Sequence, residues 1–199
     1  METTLKTSIE KRRTYYSISG KSPISDKEIE EIICFSLTHV PSAFNSQSTR
    51  LVLLLGENHK TLWQIVKEEL KKIVPSEAFP ATENKINSFA AGYGSVLFFE
   101  DDAVTESLQK KFPTYAQSFP VYAEHTSAMH QFAVWNLLIE AGFGASLQHY
   151  NPLIDESVKA KWSLPASWRL IAQMPFGTPT AEPDEKQFEP LENRIRVFK

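Results

Sequence analysis

The chain has 199 residues, 42% of them hydrophobic, a formal net charge of -3 and a single cysteine. That length and apolar content suffice for one sizeable core, while the acidic balance argues against a protein held by nucleic-acid phosphates, which needs a basic face. A lone thiol forms no intrachain disulfide and fits a reducing compartment; no apolar run approaches the roughly 18 residues of a membrane span, and the N-terminus lacks a signal peptide's apolar core, so a soluble cytoplasmic protein is expected.

Leu5 and Ile9, four apart, share one face of a helix expected over 4–14, with Arg12 or Arg13 completing the stripe one turn later. Taken alone, Lys11-Arg12-Arg13 reads as a solvated helix end that complements the helix dipole. A planar, permanently charged guanidinium is equally suited to gripping a phosphate. Ser25-Asp26-Lys27-Glu28 has the form of a capping box, and Ile29, Ile32, Ile33 and Leu37 follow at helical spacing. Cys34, among them, is expected to be a buried and inert thiol. Pro41 forces Val40 out of the helical region and ends this helix. The polar stretch PSAFNSQSTR (41–50) then feeds the apolar run Leu51 to Leu55, a buried strand. Ser42, Asn45 and Gln47 supply groups that both donate and accept hydrogen bonds, an inventory suited to a flat heterocycle with alternating carbonyls and ring nitrogens.

Asn58 is placed to cap a helix reaching about Val74, with Leu62, Val66, Leu70 and Ile73 along one side and Pro75 ending it. Residues 76–88 give no firm element. Gly92-Tyr93-Gly94-Ser95 is a turn before a second strand, Val96 to Phe99; its glycines precede the strand, the wrong order for a dinucleotide fingerprint. Asp102 to Lys111 is a short helix, and Pro113 and Pro120 bound an irregular aromatic segment. The longest helix is expected from about Ala123 to Ala141, apolar through Met129, Phe132, Ala133, Trp135, Leu138 and Ile139, and ended by Gly142 and Gly144. A face that broad belongs in a core or a subunit contact. His125 and His130, five apart, do not share a face and make a poor metal pair.

In Gly144 to Pro152, small residues let the backbone approach a flat ligand closely, whereas the side chains of Gln148, His149 and Tyr150 read equally well as a polar strand end. Asn151-Pro152 has the form of a helix cap followed by proline at the first position. Trp168 to Pro175 is the next strand, closed by Phe176-Gly177-Thr178-Pro179. The Pro/Glu-rich run to Pro190 is an extended arm, and Arg194 to Phe198 alternates as an edge strand would. Strand-like runs this few and irregularly spaced give an α+β fold: helices around a mainly antiparallel sheet of four or five strands, in one domain spanning 1–199 with 178–199 as a C-terminal arm.

Arg12-Arg13-Thr14, PSAFNSQ at 41–47 and SLQHYNP at 146–152 together resemble the nitroreductase family of FMN-dependent oxidoreductases. The spelling is most similar to the fungal fatty-acid-repression-type nitroreductases and their bacterial relatives. The resemblance implies a nitroreductase-like fold and an intertwined homodimer with two FMN sites at the subunit interface, each built from the Arg12 and Ser42 regions of one chain and parts of the other. Hydride would pass from NADH or NADPH through the flavin to a nitroaromatic or quinone-like acceptor, with no metal and no catalytic side chain beyond the flavin. It assigns Arg12, Arg13 and Thr14 to the FMN phosphate, joined by Lys186 of the arm, with Arg194 as second candidate. Ser42, Asn45 and Gln47 would bond the ribityl chain and ring edge, the segment carrying Gln148, His149 and Tyr150 would lie against the ring, and Phe44 would border the substrate face. Tyr15-Tyr16 departs from the pattern, since many members carry another basic residue there. The alternative is a flavin-binding redox sensor or regulator of lipid metabolism or stress response with little turnover; composition alone also allows a cofactor-free interaction domain.

Overall fold

Local sequence signals set most of the elements in a computed structural model of the chain, which describes residues 5–199. Helix α1 spans Leu5–Lys11, and the first residue expected in it, Thr4, lies outside the described residues. The short strand β1 (Ile18–Ser19) follows, then α2 (Asp26–His39), whose capping box is complete: Ser25 Oγ accepts from Glu28 N, and Ser25 N donates to the Glu28 carboxylate at 2.8 Å. Val40 is extended ahead of Pro41, as that proline requires. The chain continues through β2 (Thr49–Leu55), α3 (Gly56–Lys71), α4 (Phe79–Ala90), β3 (Gly94–Asp101), α5 (Asp102–Lys111), α6 (Phe119–Glu140), β4 (Gly144–Ala145), α7 (Asp155–Trp162) and β5 (Trp168–Pro179).

Every pairing in the five-stranded sheet is antiparallel, in the order β1-β5-β3-β2 with β4 on the edge of β5. β3 is central and its alternation divides the interior into two cores. Val96 and Phe98 face Ile29 and Ile33 of α2 and Val134 and Leu138 of α6. Leu97 and Phe99 face Leu62, Trp63 and Val66 of α3, Ile86 and Phe89 of α4 and Val158 of α7. Each of these large side chains contributes about 1.5–3 kcal/mol by leaving water. Gly94 is required where β3 begins: a Cβ there would stand 2.6 Å from both Leu55 Cδ2 and Phe176 Cζ. Within the second core a buried polar trio persists, Ser95 Oγ accepting from Trp63 Nε1 and pairing with His59 Nδ1, each at 3.0 Å. Burial lowers the His59 pKa to about 4.

Several expectations need correction. Cys34 is exposed, because the buried face of α2 runs through Ile29, Ile33 and Ser36. Leu5 and Ile9 are also exposed; the buried residue of α1 is Ser8, whose hydroxyl reaches Asn136 of α6. α3 begins at Gly56, so Asn58 lies inside it and accepts from Trp162 Nε1 at 3.0 Å instead of capping; the helix stops at Lys71 and leaves Ile73 exposed. Residues 79–90 are helical because Ile86 and Phe89 insert under the sheet, two anchors too sparse to make a pattern. α6 starts at Phe119 with Pro120 in its first turn, where the missing N–H costs nothing.

Asn151-Pro152 does not open a helix. Residues 148–150 are still bonded to Gln173 of β5, so α7 starts only at Asp155, after the chain has left the sheet. β5 does not close at Pro175; it runs on to Pro179, taking β4 and β1 as partners. Residues 194–198 form no strand, since no sheet edge lies beside them among the described residues; a 3-10 turn, Leu191–Asn193, precedes them. No helix of the described residues is long and apolar enough to cross a membrane.

Candidate functional site

The end of α1 and the arm are brought together by the sheet edge. After α1, Thr14 bridges to Ala145 of β4 and Tyr15 N donates to Ala145 O at 3.0 Å, which lays residues 12–16 along the strand ends. Beyond β5 the arm turns back over them, Thr180 N donating to Ser17 O at 2.9 Å. The cavity between is about 380 Å³ and is lined by Arg12, Arg13, Thr14 and Lys186, with Asp184 and Glu185. Arg13 donates to the Asp184 main-chain carbonyl. The half-buried Arg12 guanidinium lies 4.5 Å over the Trp135 ring, and among the described residues it has no hydrogen bond or ion pair. Burial, then repulsion by Arg13, lowers its pKa. A desolvated cation without a counter-ion is costly by itself and favours an anion beside it.

The Ser42 loop is locally strained. Phe44, Asn45 and Gln47 all have left-handed backbones, at φ 58°, 49° and 48°, which cost about 1–3 kcal/mol each for residues with a side chain. Ser42 accounts for the turn: its carbonyl accepts from Asn45 N and its Oγ from Gln47 N, both at 3.0 Å. The Phe44 ring is held among Phe112, Phe119 and Tyr115, with centroids 5.1, 5.2 and 5.9 Å away; aromatic pairs of this kind add about 0.5–1.5 kcal/mol each beyond burial. At the loop exit Ser48 Oγ and Thr49 Oγ1 donate to the two carboxylate oxygens of Glu100 at 2.6 and 2.5 Å. Glu100 is wholly buried and its pKa is raised, desolvation outweighing those two hydrogen bonds. Arg50 donates to Gln47 O at 2.7 Å and pairs with Asp101 at 3.1 Å. A cavity of about 290 Å³ opens beside the loop, lined by Ser42, Gln47, Arg50, Leu37, His130 and Trp168 among others. Asn45 is exposed outside it.

The third motif is bonded chiefly through its backbone. Gln148 pairs with Gln173 in both directions at 2.7 and 2.9 Å, its Nε2 donates to Ser146 Oγ at 3.1 Å, and Tyr150 N donates to Gln173 Oε1 at 2.8 Å. The Tyr150 ring turns toward Trp63 in the second core; burial, with Tyr16 nearby, raises its pKa to about 12. His149 is exposed. Arg194, exposed after the 3-10 turn, does not line the Arg12 cavity.

The two cavities are separate within one chain. Trp168, beside the Ser42 loop, and Phe176, paired to Ala145 next to Thr14, are eight residues apart on β5, roughly 26 Å at 3.3 Å per residue. On α6, His130 lines one cavity and Trp135 carries Arg12 at the other; five residues at 100° each put them about 140° apart round the helix. α6 therefore stands between them. Sequence reasoning missed His130, Arg50, Trp135 and Glu100. Only Glu100 carried a signal, a charge continuing the inward alternation of Val96 and Phe98.

A match to the nitroreductase family covers residues 9–178. Two Saccharomyces cerevisiae relatives, HBN1 and the nitroreductase FRM2, are 39% identical over 189 residues and 35% identical over 195; the alignments cover 94% and 96% of this chain and 93% and 94% of theirs. The nitroreductase CinD from Lactococcus lactis, solved with nicotinic acid, is 42% identical with a TM-score of 0.91, over 98% of this chain and 100% of its own; it has also been solved with chloramphenicol and with 4-nitrophenol. A Desulfovibrio desulfuricans protein solved in complex with FMN, 15% identical with a TM-score of 0.69 over 100% of this chain and 99% of its own, shares the fold.

Proposed function

Because this chain belongs to the nitroreductase family, we propose that it is an FMN-binding NAD(P)H oxidoreductase that reduces nitroaromatic or quinone-like acceptors as a homodimer. The observation that carries the reading is Arg12: a half-buried guanidinium with no counter-ion among the described residues, in a cavity shared with Arg13, Thr14 and Lys186. That set fits a phosphate, which takes forked N–H donors from arginine, a point charge from lysine and a hydroxyl proton from threonine. Its three cations outnumber the two carboxylates of Asp184 and Glu185.

FMN held there would accept hydride from NADH or NADPH and return it to the acceptor. The protein's own part is position and exclusion. Arg12, Arg13, Lys186 and Thr14 would hold the phosphate end of FMN. Ser42 and Gln47, presented by the strained loop, would bond the polar ring edge, and Phe44, exposed in the same loop but not lining its cavity, would border the acceptor's approach. The Gln148 to Tyr150 backbone, pinned by Gln173, would lie against the ring. Since α6 separates the two cavities of one chain, the expectation that a single chain supplies both the Arg12 and Ser42 regions is revised: one flavin would meet both only where the Ser42 loop comes from a second subunit. Exposed Met129 and Phe132 on α6, with Leu5 and Ile9 on α1, offer apolar surface for that contact. The CinD complex with 4-nitrophenol supports the acceptor class.

The purified protein should show flavin absorbance that bleaches with NADH and recovers when a nitroaromatic is added. A colourless protein that neither takes up FMN nor consumes NADH would defeat the reading. Bound flavin with no steady NADH consumption would defeat the enzymatic part of it.

A further inference from the structure

We propose that His130 is a specificity-determining residue: its Nε2 takes a hydrogen bond from a hydroxyl or N–H group on the electron acceptor, so that ring compounds carrying such a donor are preferred. The inference rests on the oxidoreductase reading and names a substrate class for it.

His130 is 3% exposed, set in α6 against β2, and it lines the 290 Å³ cavity beside the Ser42 loop. Its tautomer follows from its one hydrogen bond. Nδ1 lies 3.0 Å from the Thr126 carbonyl oxygen, one turn back on the same helix. A carbonyl only accepts, so Nδ1 carries the proton, and in a neutral ring Nε2 is then a lone-pair acceptor. Burial keeps the ring neutral by lowering its pKa. Among the described residues Nε2 has no partner, and because His130 lines the cavity its lone pair is open to whatever occupies that space.

The surroundings are complementary to a ring with polar groups at its two ends. Arg50 is a permanent donor. It suits the oxygens of a nitro or quinone group, while the Ser42 hydroxyl on the same wall is left to the flavin ring edge. Leu37, Leu51 and Trp168 make the walls apolar. About 290 Å³ is at the small end of ligand cavities, enough for one substituted ring. A donor at its far end would meet the His130 lone pair, whereas an ether or methyl group would leave that lone pair unpaired, the kind of mismatch that discriminates substrates best.

The test compares kcat/KM for 4-nitrobenzyl alcohol and its methyl ether, neither of which ionises near neutrality, in the flavin-loaded protein with NADH. The parent should favour the alcohol by roughly fivefold, the worth of one neutral hydrogen bond. His130→Phe, which keeps a flat ring and removes the lone pair, should bring the ratio close to one mainly through KM for the alcohol. His130→Gln, which restores an acceptor oxygen, should recover most of the preference. A parent ratio near one overturns the proposal whether or not the variants fold, and so does a preference that survives His130→Phe. A protein that binds no flavin and turns over neither compound overturns the underlying reading, and this one with it.

Discussion

Removing the Arg12 guanidinium should separate cofactor affinity from fold stability. In Arg12→Ala the phosphate loses a forked, charge-assisted donor; hydrogen bonds to charged groups contribute about 1.5–3 kcal/mol each. The side chain is half-buried, so at least one such bond should be felt in full. At about 1.4 kcal/mol per tenfold, the FMN dissociation constant should rise by roughly 10- to 100-fold. The flavin-free protein should barely notice. It loses the stacking of Arg12 on Trp135, 4.5 Å away and worth about 0.5–1 kcal/mol at an exposed site, but it also sheds a desolvated cation repelled by Arg13. The net change in Tm without flavin should stay within about 2–4 °C for a chain of this size. The assay is quenching of FMN fluorescence on titration into flavin-free parent and variant, alongside thermal melts of both. A dissociation constant within threefold of the parent, with normal melts, would show that Arg12 does not hold the phosphate.

Acid should destabilise the fold through His59. Its folded pKa of about 4 lies below the ordinary 6.5, so the unfolded chain binds the extra proton; the neutral ring's stabilisation is complete above pH 6.5 and is lost as pH falls toward 4. The shift corresponds to on the order of 3 kcal/mol, visible as a falling urea midpoint that His59→Gln should lack; equal pH dependence in the two proteins would refute the assignment. Mixed dimers test the shared site. Gln47→Pro cannot adopt the left-handed backbone of residue 47 and removes the N–H bonded to Ser42 Oγ, so it should bind no flavin alone, like an Arg12→Ala/Arg13→Ala chain. Random pairing of the two leaves one intact site in half the dimers, hence about a quarter of parental flavin content; no recovery on mixing would refute a site built from two chains.

What was legible in the sequence was mostly local. The capping box at Ser25, the Pro41 stop, the apolar runs of β2 and β3 and the charged helix 102–111 each depend on a few neighbouring residues, and each stands where those residues put it. Lys186 is a different case: its place beside Arg12 was an implication of the family resemblance, not of neighbouring residues, and it lines the same cavity. Helix α4 was illegible because its stability comes from Ile86 and Phe89 entering a core assembled by α3, α7 and the sheet. Met129 and Phe132 read as belonging to a core or a subunit contact, and in the single chain they are exposed; apolar periodicity reports that a face wants covering and does not say by what. His130 failed differently. Its spacing from His125 was judged for a metal, whereas its role follows from β2 packing against α6, a contact between residues about eighty apart.

Surface loops ordinarily tolerate insertions and deletions, and the stretch at 44–47, left-handed at Phe44, Asn45 and Gln47, should not. Ser42 Oγ closes the segment by accepting from Gln47 N, and immediately after it Ser48 and Thr49 are clamped by a carboxylate with no access to water. An extra residue has nowhere to bulge: lengthening the segment breaks the Ser42 closure, and sliding the surplus onward strips both hydroxyls from Glu100 and shifts β2 by one position, turning its inward side chains outward. Among proteins that keep this carboxylate and these two hydroxyls, the segment should therefore vary in spelling while its length stays constant.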